Sequence, residues 1–75
     1  MDLFKRKIKV DDLRVNMQDE ILRVSALRLG HEVSNELVNN VRDSKWSYMG
    51  LEMILDSVKT IDIDQIEIYL SQLDQ

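Results

Sequence analysis

The chain has 75 residues, a formal net charge of −4 and no cysteine. That length allows one domain burying little apolar surface, and the missing thiols exclude a disulfide framework and any thiolate metal site. Apolar residues make up 44% but only four are aromatic, so the core is aliphatic. No apolar run reaches the length of a membrane span and no signal-peptide pattern is present, which predicts a cytoplasmic protein with no membrane partner.

The charge is uneven. Residues 1–18 hold five bases against three acids, residues 19–43 three against five, and residues 44–75 two against six. A basic front suits phosphates, and an acidic rear suits a cationic or apolar protein surface. The organisation expected is one domain over 1–75. It comprises a basic arm (1–9), a core (12–43) and acidic C-terminal helices (45–75).

In chain order, Lys5, Arg6, Lys7 and Lys9 come first, interleaved with Leu3, Phe4 and Ile8. Such a cluster serves as a solubilising terminus or as a salt-sensitive contact to phosphates, and it is too short to hold at a membrane surface. Next, Leu13, Val15 and Met17 alternate with Arg14, Asn16 and Gln18, the pattern of a half-buried strand. The same stretch also fits a helix from Asp11 to Leu29, because Val10, Leu13, Met17, Ile21 and Val24 share helical spacing. A second strand register, Phe4 to Val10, would turn Lys5, Lys7 and Lys9 outward.

From Asp19 the pattern is helical, with Ile21, Leu22, Val24, Ala26 and Leu29 on a broad apolar face. Gly30 suits the left-handed residue that ends such a helix. Ser34 is an N-cap for a helix carrying Leu37, Val38 and Val41. The lone His31 beside the turn reads as a surface residue rather than a ligand. Arg42 to Ser47 is a soft point. Trp46, Met49, Met53, Ile54 and Val58 then recur at helical spacing, with Leu51 and Leu55 widening the face. Gly50 costs this helix about 1 kcal/mol relative to alanine, which suggests close approach of another backbone. Finally Ile63, Ile66, Tyr69, Leu70 and Leu73 predict a short terminal helix, with Asp62 and Gln65 as a capping box.

The order strand, helix, glycine, capped helix resembles the ribbon-helix-helix family of DNA-binding repressors over residues 12–43. Gly30-His31-Glu32-Val33-Ser34-Asn35-Glu36-Leu37-Val38-Asn39-Asn40-Val41 is similar to that family's second-helix signature. The resemblance implies a mainly α homodimer whose paired strands lie in the major groove of double-stranded operator DNA. Asp12, Arg14 and Asn16 would then face the bases, and the residue types suit that task. The helix start at Ser34 would hold a phosphate, and Lys5, Arg6, Lys7 and Lys9 would add sequence-independent affinity.

The alternative fold is an all-α, dimeric helical bundle, in which Arg14 and Asn16 are merely solvated. A homodimer is expected in either case, because the aliphatic faces of 13–41 and 46–58 exceed what a short chain covers alone. Catalysis and cofactors are not expected. There is no phosphate loop, HExxH, nucleophile elbow or cysteine–histidine pair, and Asp62 and Asp64, two apart, make a poor metal pair on a helix. Two functions follow: a small dimeric transcriptional regulator of repressor or antitoxin type, or a non-catalytic helical adaptor or antirepressor. In the second, an exposed Trp46 with Met49 and Met53 anchors a protein partner; the alternative is that these residues belong to the core or the dimer interface.

Overall fold

The computed structural model describes residues 10–73, with side chains described from Asp12 onward. It holds four helices: α1 (Val10–Leu29), α2 (Asn35–Arg42), α3 (Tyr48–Thr60) and α4 (Ile63–Ser71). No strand occurs among the described residues.

The expected ribbon is therefore corrected to a helix. Leu13 to Met17 lies inside α1, and the fold is the all-α arrangement rather than ribbon-helix-helix. The physical reason is continuity. No glycine or proline interrupts residues 10–29, so a helix nucleated by the apolar spacing of Ile21, Leu22 and Val24 propagates backward at little cost. Gln18, an outward residue in the strand pattern, is 4% exposed. Its side-chain amide donates to the Arg42 carbonyl at 3.4 Å, a contact that a helix places one turn beyond Arg14. The second register, Phe4 to Val10, lies outside the described residues except for Val10, which begins α1.

Gly30 ends α1 with φ of 79°, donating its N–H to the Ala26 carbonyl at 2.9 Å. A side chain there would meet open space, so only the backbone conformation demands glycine. Ser34 then caps α2, its hydroxyl accepting from Leu37 N–H, and Ser47 caps α3 by accepting from Gly50 N–H at 3.2 Å. The expected capping box at α4 is not made. Asp62 occupies the N-cap without a side-chain bond, and Gln65 N–H instead reaches the Asp62 backbone carbonyl at 2.9 Å.

Ile21, Leu22 and Val24 of α1 join Leu37 and Val41 of α2, Leu51, Ile54, Leu55 and Val58 of α3, and Ile66, Leu70 and Leu73 of the C-terminal segment in one core. The 12–43 and 45–75 segments thus share a single interior. Most of the aliphatic residues that prompted the homodimer expectation are covered within one chain.

Charged and polar side chains of α1 set the orientation of α3. Near one end, Arg14 Nε donates to the Trp46 carbonyl at 2.9 Å and its guanidinium also to the Ser44 carbonyl at 3.1 Å. Near the other, Arg28 donates to the carbonyls of Val58, at 2.7 Å, and Ile61. The pairs 14–46 and 28–58 show that α1 and α3 run in the same direction. Fourteen residues of helix return to within about 40° of the same face and span about 21 Å, close to the length of α3. Two arginines on one face of α1 thus bracket α3, Arg14 holding carbonyls of the loop that leads into it and Arg28 satisfying carbonyls that its C-terminal end leaves without partners.

Candidate protein-docking face

Bracketed by these contacts, α3 buries Leu51, Ile54, Leu55 and Val58. A helix so fixed has an outer face as determined as its inner one. At 100° per residue the positions opposite the buried stripe are Met49, Glu52, Met53 and Asp56. All four are exposed, Met49 to 74% and Met53 to 71%. They fall within an arc of about 100°, with the methionines along one side and the carboxylates along the other.

Trp46 stands at the head of this face. Its indole Nε1–H donates to the Leu73 carbonyl at 2.8 Å, and its own carbonyl receives Arg14. Gly50 lies beneath the ring: a Cβ at Gly50 would sit 3.0 Å from Trp46 Cε3. The close approach anticipated at this glycine is thus made by an indole rather than by another backbone. The indole is held at its nitrogen edge yet the residue remains 41% exposed, the condition of an anchor already placed before a partner arrives.

Electrostatically the face is negative. Neither Glu52 nor Asp56 forms an ion pair among the described residues; the ion pairs found there are Arg23–Glu20 at 2.5 Å and Arg42–Asp19 at 2.7 Å. Lys59, one turn beyond Asp56, lies close enough to Glu20 of α1 for its charge to act on that carboxyl. The hydrogen bonds from Arg23, more than Lys59, hold Glu20 below the ordinary carboxylate value, and Arg23 is raised in return.

Elsewhere the exposed apolar residues are isolated. Leu27 is 72% exposed and Ile63 and Ile68 are each 51% exposed, but the residues three and four positions away from them are polar, glycine or buried. Leu13 and Val15, at 37% and 47%, lie at the start of α1. Among the described residues, only α3 pairs two strongly exposed apolar side chains one turn apart. A groove between α1 and α2, floored by Leu22, Ala26, Val33 and Val38, is open to solvent and rimmed by charges of both signs.

The remaining predicted site residues do not converge. Asp12 and Asn16 are exposed on α1, while Arg14 between them is turned to the α2–α3 loop instead of being solvated or directed at bases. Ser34 is engaged as a helix cap. Lys5, Arg6, Lys7 and Lys9 lie outside the described residues. His31 is exposed, its Nδ1–H donating to the Glu32 carbonyl at 2.8 Å. No group of three His, Asp or Glu side chains suited to a metal occurs among the described residues, and no helix there is long and apolar enough to cross a membrane.

Sequence reasoning placed Trp46, Met49 and Met53 together but missed Glu52 and Asp56, although their spacing from Met49 was readable once the buried stripe of α3 was assigned. It also missed the Arg14 and Arg28 contacts, for which the one available signal is their fourteen-residue separation. Comparison with family models, curated proteins and solved structures gave no match.

Proposed function

We propose that this chain is a non-catalytic helical interaction module that docks a protein partner on the outer face of α3. The observation that carries this reading is the pair Met49 and Met53, more than two-thirds exposed and one turn apart beside Trp46. Large apolar side chains grouped on a surface mark interaction sites. Methionine suits such a surface because its unbranched, polarisable side chain adapts to a partner's contour, and tryptophan is the residue most enriched at binding hot spots. The opposite face of the same helix is built from Leu, Ile and Val, so the methionines are not surplus core.

A photo-crosslinking amino acid placed at position 49 or 53 should yield one discrete protein adduct in cells making the chain. The same group at Glu36, exposed on α2, should yield none. Equal labelling from both helices, or none from α3, would remove this reading.

A further inference from the structure

The partner's chemistry is the open question at this face, and its charge answers it. The α1–α2 groove is lined by two acids, Asp19 and Glu32, and two bases, Arg23 and Arg42, with Asp19 on Arg42 at 2.7 Å and Arg23 turned to Glu20 at 2.5 Å. Charges of both signs balance around it, so its rim favours neither a cationic nor an anionic partner. The groove by α4, lined by Thr60, Ile61, Asp62, Gln65, Ile68 and Tyr69, offers a single exposed apolar side chain, Ile68, since Ile61 and Tyr69 are partly buried against the core. The α3 face differs from both, since there two carboxylates without an ion-pair partner among the described residues border two strongly exposed apolar side chains one turn apart.

We infer that the outer face of α3 binds a cationic amphipathic helix, its apolar stripe on Met49, Met53 and the exposed part of Trp46 and its lysines or arginines over Glu52 and Asp56. This rests on the docking reading above and specifies its partner. The argument is complementarity in two registers. A partner helix repeats apolar side chains every three to four residues, matching the one-turn spacing of Met49 and Met53 and of Glu52 and Asp56. The acid side of the stripe then fixes which flank of the partner carries positive charge, and a neutral or acidic helix leaves those carboxylates desolvated without a counter-charge, which is unfavourable.

A second copy of the chain meets the same objection. Two α3 faces brought together would join the carboxylates of both copies in one interface, on molecules that each carry a net charge of −4. Self-association through this face is therefore opposed by the charge that favours a cationic partner.

The test uses the full chain and three synthetic helical peptides, each about five turns long, with one common leucine stripe. Their polar faces carry lysine, glutamine or glutamate. Trp46 emission and calorimetry report binding. The lysine peptide should bind at least about tenfold more tightly than the glutamine peptide, and the glutamate peptide should not bind. The preference should vanish in Glu52→Gln/Asp56→Asn and persist in Asp64→Asn/Glu67→Gln on α4. Met49→Ser/Met53→Ser should lose binding of every peptide.

Equal binding of the lysine and glutamine peptides, still abolished by the methionine substitutions, would overturn the cationic partner while leaving the docking face intact. Lysine-peptide binding that ignores the methionines, or no binding at all, would overturn both. Two other occupants have their own signatures. A dimer in sedimentation equilibrium that Met49→Ser/Met53→Ser dissolves would assign the face to a second copy. A rise of about tenfold in peptide affinity on neutralising Lys5, Arg6, Lys7 and Lys9 to glutamine would assign it to the chain's own basic segment. Either result overturns the proposal, and the absence of both supports it.

Discussion

The two faces of α3 are built from different kinds of side chain. The inner face is Leu51, Ile54, Leu55 and Val58, each at most 9% exposed, branched side chains of defined shape that interlock with α1. The outer face is Met49, Glu52, Met53 and Asp56, side chains with several rotatable bonds or a charge. Branched residues lose little rotamer freedom on burial and specify one packing, whereas methionine tolerates many. On the docking reading proposed above, one helix divides stability from recognition across its diameter, and the arginines of α1 fix how α3 is turned.

Substitutions should separate these two faces sharply. Leu51→Ala removes a fully buried side chain and should cost about 2–5 kcal/mol, a large share of the stability of a domain this small. Urea unfolding measures it. Met53→Ser on the outer face should move the same midpoint by no more than about 0.5 kcal/mol. A large loss there would show that Met53 is packed and that the comparison fails.

The bracket between the faces comes next in size. Arg14→Ala and Arg28→Ala each strip charge-assisted bonds from backbone carbonyls at or near an end of α3. Each should cost about 1–2 kcal/mol, toward the lower end of the range for such bonds because the arginines are partly exposed. Arg14→Ala should also shift Trp46 emission, since the carbonyl of that residue loses its donor, whereas Arg28→Ala at the far end should not. Such an asymmetry would sharpen the claim that Arg14 positions the head of the docking face.

Smaller effects concern glycines and caps. Gly30→Ala should cost about 1–2 kcal/mol through its positive φ alone. Gly50→Ala should return less than the about 1 kcal/mol of helix propensity gained, because Trp46 must give way by a few tenths of an ångström. Its indole N–H should exchange faster as the bond to Leu73 loosens. Ser34→Ala should lose about 0.5–1 kcal/mol, as its capping contact to Leu37 N–H is long at 3.4 Å.

The smallest effect is electrostatic. The Glu20 carboxyl is held below its ordinary value mainly by hydrogen bonds from Arg23. Whatever this contributes is present above the ordinary carboxylate pKa and is lost as pH falls through the lowered folded value. The pair is fully exposed, so Glu20→Gln should leave the urea midpoint unchanged within error at neutral pH and moderate salt.

What could be read from the sequence divides along physical lines. The glycine stop at Gly30, the serine cap at Ser34 and the apolar stripes of α2 and α3 were legible because each is a local signal with one backbone solution. Leu13 to Met17 was not, because over so few residues period-2 alternation and helical spacing share Leu13 and Met17 and differ only at Val15, which the helix leaves exposed. What decides between them is the helix downstream and the carbonyls that Arg14 and Gln18 reach, 30 and 24 residues away in sequence. Arg14 was misread under both expectations for that reason: its partners are backbone atoms, which no side-chain pattern announces. The box at Asp62 failed similarly, since a capping sequence permits the side-chain bond without requiring it. The docking face was half legible, with Met49 and Met53 visible by type and Glu52 and Asp56 visible only once α3 had an inside and an outside.

The central claim, that α3 has one face for folding and one for a partner, is tested most directly by amide chemical-shift mapping of the full chain as the lysine-faced peptide is added. The account predicts that the largest changes fall between Trp46 and Asp56 and include the Trp46 indole N–H, with the amides of α2 nearly still. Largest changes along the α1–α2 groove, around Asp19 to Ala26 and Val33 to Arg42, or changes of equal size over all four helices, would contradict it.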